Sequence, residues 1–153
     1  MREILFKGRR VDTGEWIDGD LCRTPEEGCC IVVAGSYEEP EHGYKECLTE
    51  RVRVDPEMVC QFTGLYDSTK WQDLTESERE QWTRSGSMPS EWNGKRIFEG
   101  DVAKLKHCTA HYTCTWAPEA ACFYWRCNVT NDHSNIHHEA EIIGNIHDKK
   151  EGV

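Results

Sequence analysis

A chain of 153 residues and 17.7 kDa is the size of one domain, or of one domain carrying an insertion. Leu, Ile, Val and Phe supply only about 18% of it and the net charge is −10, a pairing typical of disordered chains, yet six Trp, five Tyr and nine Cys restore the apolar surface for a modest core. No apolar run approaches the roughly 18 residues of a membrane helix, and Met1-Arg2-Glu3 opens no signal peptide, so a soluble cytoplasmic protein with mostly reduced thiols and no membrane contact is expected.

Period-two alternation dominates from the start and predicts strands. Residues 2–7 and 15–21 flank Asp12-Thr13-Gly14, a turn signal, and read as an opening hairpin. A short apolar run follows at 29–34. Val52 and Val54 lead into Asp55-Pro56-Glu57, where proline breaks a ladder, and a strand resumes at Met58–Thr63. Thr75-Glu76-Ser77-Glu78 then fits a capping box, with Glu80 four residues ahead of Arg84, and predicts a helix over about 75–84. With only Leu74 and Trp82 as an apolar face, that helix belongs on the surface. Asn93-Gly94 supplies a tight-turn dipeptide, and 101–107, 111–116, 120–129 and 139–147 have strand character. The fold class expected is mainly β with one short helix (α+β), built as a small, strongly curved sheet or β-barrel.

Charge is uneven. Residues 1–65 hold 8 basic and 14 acidic side chains, and within them 26–57 carries nine carboxylates against Lys45, Arg51 and Arg53. Such a surface repels phosphates, so no direct nucleic-acid binding is expected. It serves either as a solvated face that keeps the protein soluble or as a mimic of DNA that occupies a basic host protein.

Several pieces stand in a particular order: Met1–Arg10 with Gly14–Asp20, then Gln-Phe-Thr-Gly-Leu at 61–65, Asn-Gly-Lys-Arg-Ile-Phe-Glu-Gly-Asp-Val at 93–102, and Glu-Ile-Ile-Gly-Asn-Ile-His at 141–147. Together they resemble the YopX family and frame nearly the whole chain as a single domain, 1–153. The resemblance implies a small, mainly β, oligomeric protein encoded by phages and prophages, with no established activity. Two regions depart from the family pattern: residues 66–92 form an insertion where the family has a short connection, and 107–138 is rich in Cys and His. The motif glycines 19, 64, 100 and 144 adjoin apolar strand residues, where glycine permits positive φ or close backbone approach, and Asp101 is placed to bond local amides.

Two candidate sites follow. Trp71, Trp82 and Trp92 in the polar insertion form either a binding surface, because aromatics combine large area with an N–H donor, or a satellite core pinning the insertion down. Cys108-x2-His111-x2-Cys114 has ligand-like spacing and suggests zinc, with Cys122, Cys127, His133, His137 and His138 following. Strand parity argues against a shared metal, since Cys122 and Cys127 are five positions apart and face opposite ways. Buried free thiols and exposed imidazoles without a cofactor are therefore expected. No P-loop, zincin, dinucleotide-binding or nucleophile-elbow motif is present. The reading is a non-enzymatic accessory protein that binds a host component, either a protein partner or a small nucleotide-like ligand, as a homo-oligomer. A Cys- or zinc-based enzyme using 107–138 and an acidic DNA mimic are the alternatives.

Overall fold

The computed structural model describes residues 3–38, 46–84 and 88–148, with the backbone alone at 34–38 and 46–49. Of the acidic run expected at 26–57, Glu39 and Glu41 lie outside the described residues. The chain divides into two compact units, Met1–Phe62 and Thr63–Val153.

In the first unit, β1 (Phe6–Arg9) and β2 (Trp16–Thr24) form the opening hairpin, in register from Phe6↔Gly19 to Arg9↔Trp16. Its turn is held by Asp12, whose carboxylate accepts from Arg10 Nε at 2.9 Å and Nη2 at 2.8 Å and from the Thr13 N–H at 2.8 Å. Those bonds, led by the one from Arg10, lower the Asp12 carboxyl to about 2. β3 (Gly28–Glu38) pairs with β2, and β4 (Glu46–Arg53) pairs with β3 across a bulge between Ala34 and Tyr37. The proline break becomes a 3-10 turn at Pro56–Met58, capped by the Asp55 carboxylate on the Glu57 N–H. β5 (Cys60–Tyr66) then pairs with β1. Cys29, Ile31 and Val54 are the buried centre of this unit, with Phe6, Ile17, Leu21, Val33 and Val59 packed around them.

In the second unit, the end of β5 lies beside β6 (Arg96–Phe98). A five-stranded antiparallel sheet follows in the order β10-β9-β8-β7-β11, from β7 (Asp101–Leu105), β8 (His111–Ala117), β9 (Cys122–Cys127), β10 (His133–Ser134) and β11 (Ala140–Asn145). Ile97, Ala103, Cys114, Trp125 and Ala140 form its buried core. Gly100 has a φ of 82°, and its N–H donates to Cys114 while its carbonyl accepts from Ile146. The next residue, Asp101, is 1% exposed and accepts from the Phe98 N–H at 2.7 Å and from Asn145 Nδ2 at 2.9 Å. Asp101 thus bonds nearby amides, as expected.

The barrel alternative is not what the strand pairing produces. Among the described residues the five-stranded sheet is open, with β10 at one end and β11 at the other, so closure into a barrel is not confirmed. Among the described residues one α-helix, α1 (Glu76–Arg84), and two further 3-10 turns, Trp71–Asp73 and Pro89–Glu91, lie between β5 and β6. Among the described residues no helix is long and apolar enough to cross a membrane.

Candidate binding site

The insertion leaves β5 and returns at β6 through one buried carboxylate. Asp67, 4% exposed, accepts four hydrogen bonds: from the Lys95 N–H at 2.7 Å and the Thr69 N–H at 3.0 Å on Oδ1, and from the Thr69 hydroxyl at 2.7 Å and the Ile142 N–H at 2.9 Å on Oδ2. A buried carboxylate is tolerated when several donors replace its lost hydration, and the three backbone N–H groups gain an acceptor in return. Beside it, Ser68 donates both its N–H and its hydroxyl to the Ala140 carbonyl. Gly94 packs against this hub. Its φ is 116°, and a Cβ there would stand 2.1 Å from the Asp67 carbonyl oxygen, so Asn93-Gly94 marks a close backbone approach and not the hairpin turn its composition suggests.

Above this foot the helix starts as the capping box predicts. The Glu78 N–H donates to Thr75 Oγ1 at 3.2 Å, and the Thr75 N–H donates to Glu78 Oε2 at 2.9 Å. The Thr75 amide, with the Lys95 ammonium 3.3 Å away, holds the Glu78 carboxyl below the ordinary range. Leu74, just ahead of the helix, is 4% exposed and anchors it, while no helical residue is buried. From the helix, Arg79 reaches back and donates to the Trp71 carbonyl at 3.2 Å and the Gln72 carbonyl at 2.7 Å. That clamp fixes the 3-10 turn carrying Trp71 beside the helix carrying Trp82.

The three tryptophans converge. Trp92 is the centre, with Trp71 at a ring distance of 5.3 Å and 70° on one side and Trp82 at 5.5 Å and 72° on the other, both edge-to-face. The Trp92 indole N–H donates to the Thr69 carbonyl at 2.8 Å, which ties the cluster to the foot. All three rings are half-buried. Two clefts share Trp92 and Asn93: one of about 260 Å³ lined by Tyr66, Trp82, Met88 and Arg96, and one of about 350 Å³ lined by Thr69, Lys70, Trp71 and Pro89. A third cleft of about 500 Å³ lies between the foot and the β7–β8 turn, with Lys70, Lys106 and His107 facing Asp73, Glu139 and Glu141.

The Cys/His motif is arranged differently. Cys114 lies on β8 in the buried core with Trp125, whereas Cys108 in the β7–β8 turn and His111 at the start of β8 are exposed. Among the described residues no group of three or more His, Cys, Asp or Glu side chains is placed to hold a metal. Cys122 is exposed and Cys127 buried, as their parity requires. The Cys127 thiol is lowered by the N–H and hydroxyl of Thr130 and the N–H of Val129, and Tyr112 opposite it is raised by burial and by Cys108. The His137 and His138 rings lie 3.7 Å apart at a tilt of 46°, and burial lowers His137.

Sequence reasoning overlooks Asp67 and Asn145. Asp67 stands in a stretch rich in polar residues, and two of its four partner groups belong to Lys95 and Ile142, 28 and 75 positions onward. Asn145 sits inside the Glu141–His147 motif, which was the available signal, and it bonds Asp101 and the Glu99 carbonyl.

No curated protein matches the chain. The family model described as YopX protein matches residues 90–151, about two-fifths of the chain. That segment takes in β6 to β11 with the motifs at 93–102 and 141–147, while those at 1–20 and 61–65 lie outside it. Residues 90–151 are therefore similar to the YopX family, and Asp67, the helix, Trp71 and Trp82 lie ahead of them.

Proposed function

We propose that this chain is a non-enzymatic accessory protein of phage or prophage origin that acts as a homo-oligomer and binds a host component through the insertion 66–92. The observation that carries this reading is the convergence of Trp71, Trp82 and Trp92 into one half-buried cluster with a cleft on each side. Three indoles clamped by Arg79 and by the Trp92–Thr69 bond are rigid anchors whose ordering cost is already met by the fold, the property that concentrates binding energy at a few aromatic positions. Both clefts are at the small end of the range for ligand pockets, which favours side chains of a protein partner as occupants over an enclosed small molecule.

Native mass spectrometry of protein purified from a bacterial host without chelator tests this, because it reports assembly and retained species together. The wild type is expected to carry a bound partner or ligand as an oligomer, and Trp71→Ala and Trp82→Ala to lose the bound species while keeping the assembly. A bare wild-type chain, or variants that retain the bound species, would overturn the reading.

A further inference from the structure

We propose that Cys22 and Cys30 form an oxidation site, at which a hydroperoxide converts two opposed thiols into a cross-strand disulfide between β2 and β3. The ladder pairs Cys22 directly with Cys30, two positions from the hairpin end at Thr24↔Gly28. Directly opposed residues of an antiparallel pair point to the same face with Cα atoms about 4.5–5.5 Å apart. Both spacings fall within the roughly 4.4–6.8 Å that a disulfide spans. Both residues are free thiols in the structure. Cys29, adjacent in sequence, points the other way into the cluster with Ile31 and Val54, so alternation removes it as a competitor.

The two sulfurs differ in a way that assigns their parts. Cys22 is half-exposed and meets the oxidant, while Cys30 is 0% exposed and cannot. The Cys30 thiol donates to Glu27 Oε2 at 3.8 Å. Burial, and after it the Glu27 charge, push that thiol up, so it keeps its proton until a base takes it, and Glu27 is the base in contact. In the first step the Cys22 thiolate attacks the peroxide, the O–O bond breaks, Cys22 becomes a sulfenic acid, and the alkoxide or hydroxide released is protonated by water. In the second, Cys30 passes its proton to Glu27 as its sulfur attacks the Cys22 sulfur. The S–O bond breaks, the departing hydroxide recovers that proton as water, and the disulfide remains. Two thiols and one hydroperoxide yield one disulfide, one alcohol or water, and one water.

Peptide mapping of the full chain tests this, because trypsin cuts after Arg23, between the two cysteines. Reduced protein treated with hydrogen peroxide and digested without reductant is expected to give peptides 11–23 and 24–45 joined and two hydrogens lighter than their sum. The link persists in Cys29→Ser and is lost in Cys22→Ser and in both Cys30→Ser and Cys30→Ala. Because the wild-type map is itself decisive, misfolding of a Cys30 variant leaves the proposal open to refutation. A link through Cys29, or a Cys22 that advances to sulfinic acid without any link, would overturn it.

Discussion

Asp67→Ala removes the acceptor of four hydrogen bonds from a site 4% exposed, and the structure allows the cost to be worked out. Three of the donors are backbone N–H groups, of Thr69, Lys95 and Ile142, which have no second acceptor on the small Ala side chain. Bonds to a charged acceptor are worth about 1.5–3 kcal/mol each, but the variant also relieves the burial of a carboxylate, which costs several kcal/mol. A net loss of about 3–4 kcal/mol follows. Asp67→Asn discriminates this hydrogen-bond account from one of packing alone. With its oxygen at the Oδ1 position it keeps the Thr69 and Lys95 N–H bonds, and its amide donates to a reoriented Thr69 hydroxyl, so only Ile142 faces a donor. Its cost should be about 1–2 kcal/mol. Urea denaturation followed by far-ultraviolet circular dichroism and by tryptophan fluorescence measures both. A loss below about 1 kcal/mol for Ala, or an Asn variant as damaged as Ala, would refute the assignment of Asp67 as the joint of the insertion.

Other outcomes follow from the same geometry. Trp92→Ala, which forfeits two edge-to-face contacts and an indole hydrogen bond, should cost about 3 kcal/mol or more in the same denaturation assay, whereas Trp82→Ala, which forfeits its edge-to-face contact with Trp92 from a half-buried helix position, should cost less, about 1.5 kcal/mol. Thr75→Ala should reduce stability by about 1 kcal/mol and lower the helical ellipticity, through loss of the cap on the Glu78 N–H. Glu78 has its folded pKa lowered, so its contribution is present above the unfolded value and disappears as the pH falls through the folded value. On acidification through the carboxylate range, the stability gap between wild type and Glu78→Gln, read from Tm against pH, should therefore close; a gap that widens toward acid contradicts the sign. Analytical ultracentrifugation should find a closed assembly heavier than 17.7 kDa, and a single species of that mass at micromolar concentration would count against the oligomer.

What the sequence makes legible is local. Alternation places the opening hairpin and the strands of the last third within a few residues, and the Thr75–Glu78 capping box is realised bond for bond because each partner lies three positions away. Parity separates Cys122 from Cys127 for the same reason, since a strand's faces are set by counting. Contacts that span the chain are not written in this way. Asp67 bonds residues 28 and 75 positions onward, and nothing in the stretch around it signals those partners. The spacing of Trp71, Trp82 and Trp92 names three aromatics without saying that Arg79 folds one turn back to bring them together. Asn93-Gly94 misleads because a close backbone approach and a hairpin turn ask for the same residue, and whether strands close into a barrel depends on the pairing of distant strands, which alternation does not reveal.

The foot of the insertion also bears on how the protein avoids sticking to itself. β11 is the last strand of its sheet, and a terminal strand offers a row of unpaired N–H and C=O groups to any passing extended segment. Here the Ile142 N–H is taken by Asp67, the Ala140 carbonyl is taken twice by Ser68, and the ladder shifts register between Ile142 and Gly144. An incoming strand would find those groups already satisfied and the edge bent by the bulge. Exposed Ile143 and Ile146 nearby are then tolerable in a concentrated solution. Any engineered shortening of the insertion should spare Asp67 and Ser68, because removing them would open a β-augmentation edge flanked by isoleucines.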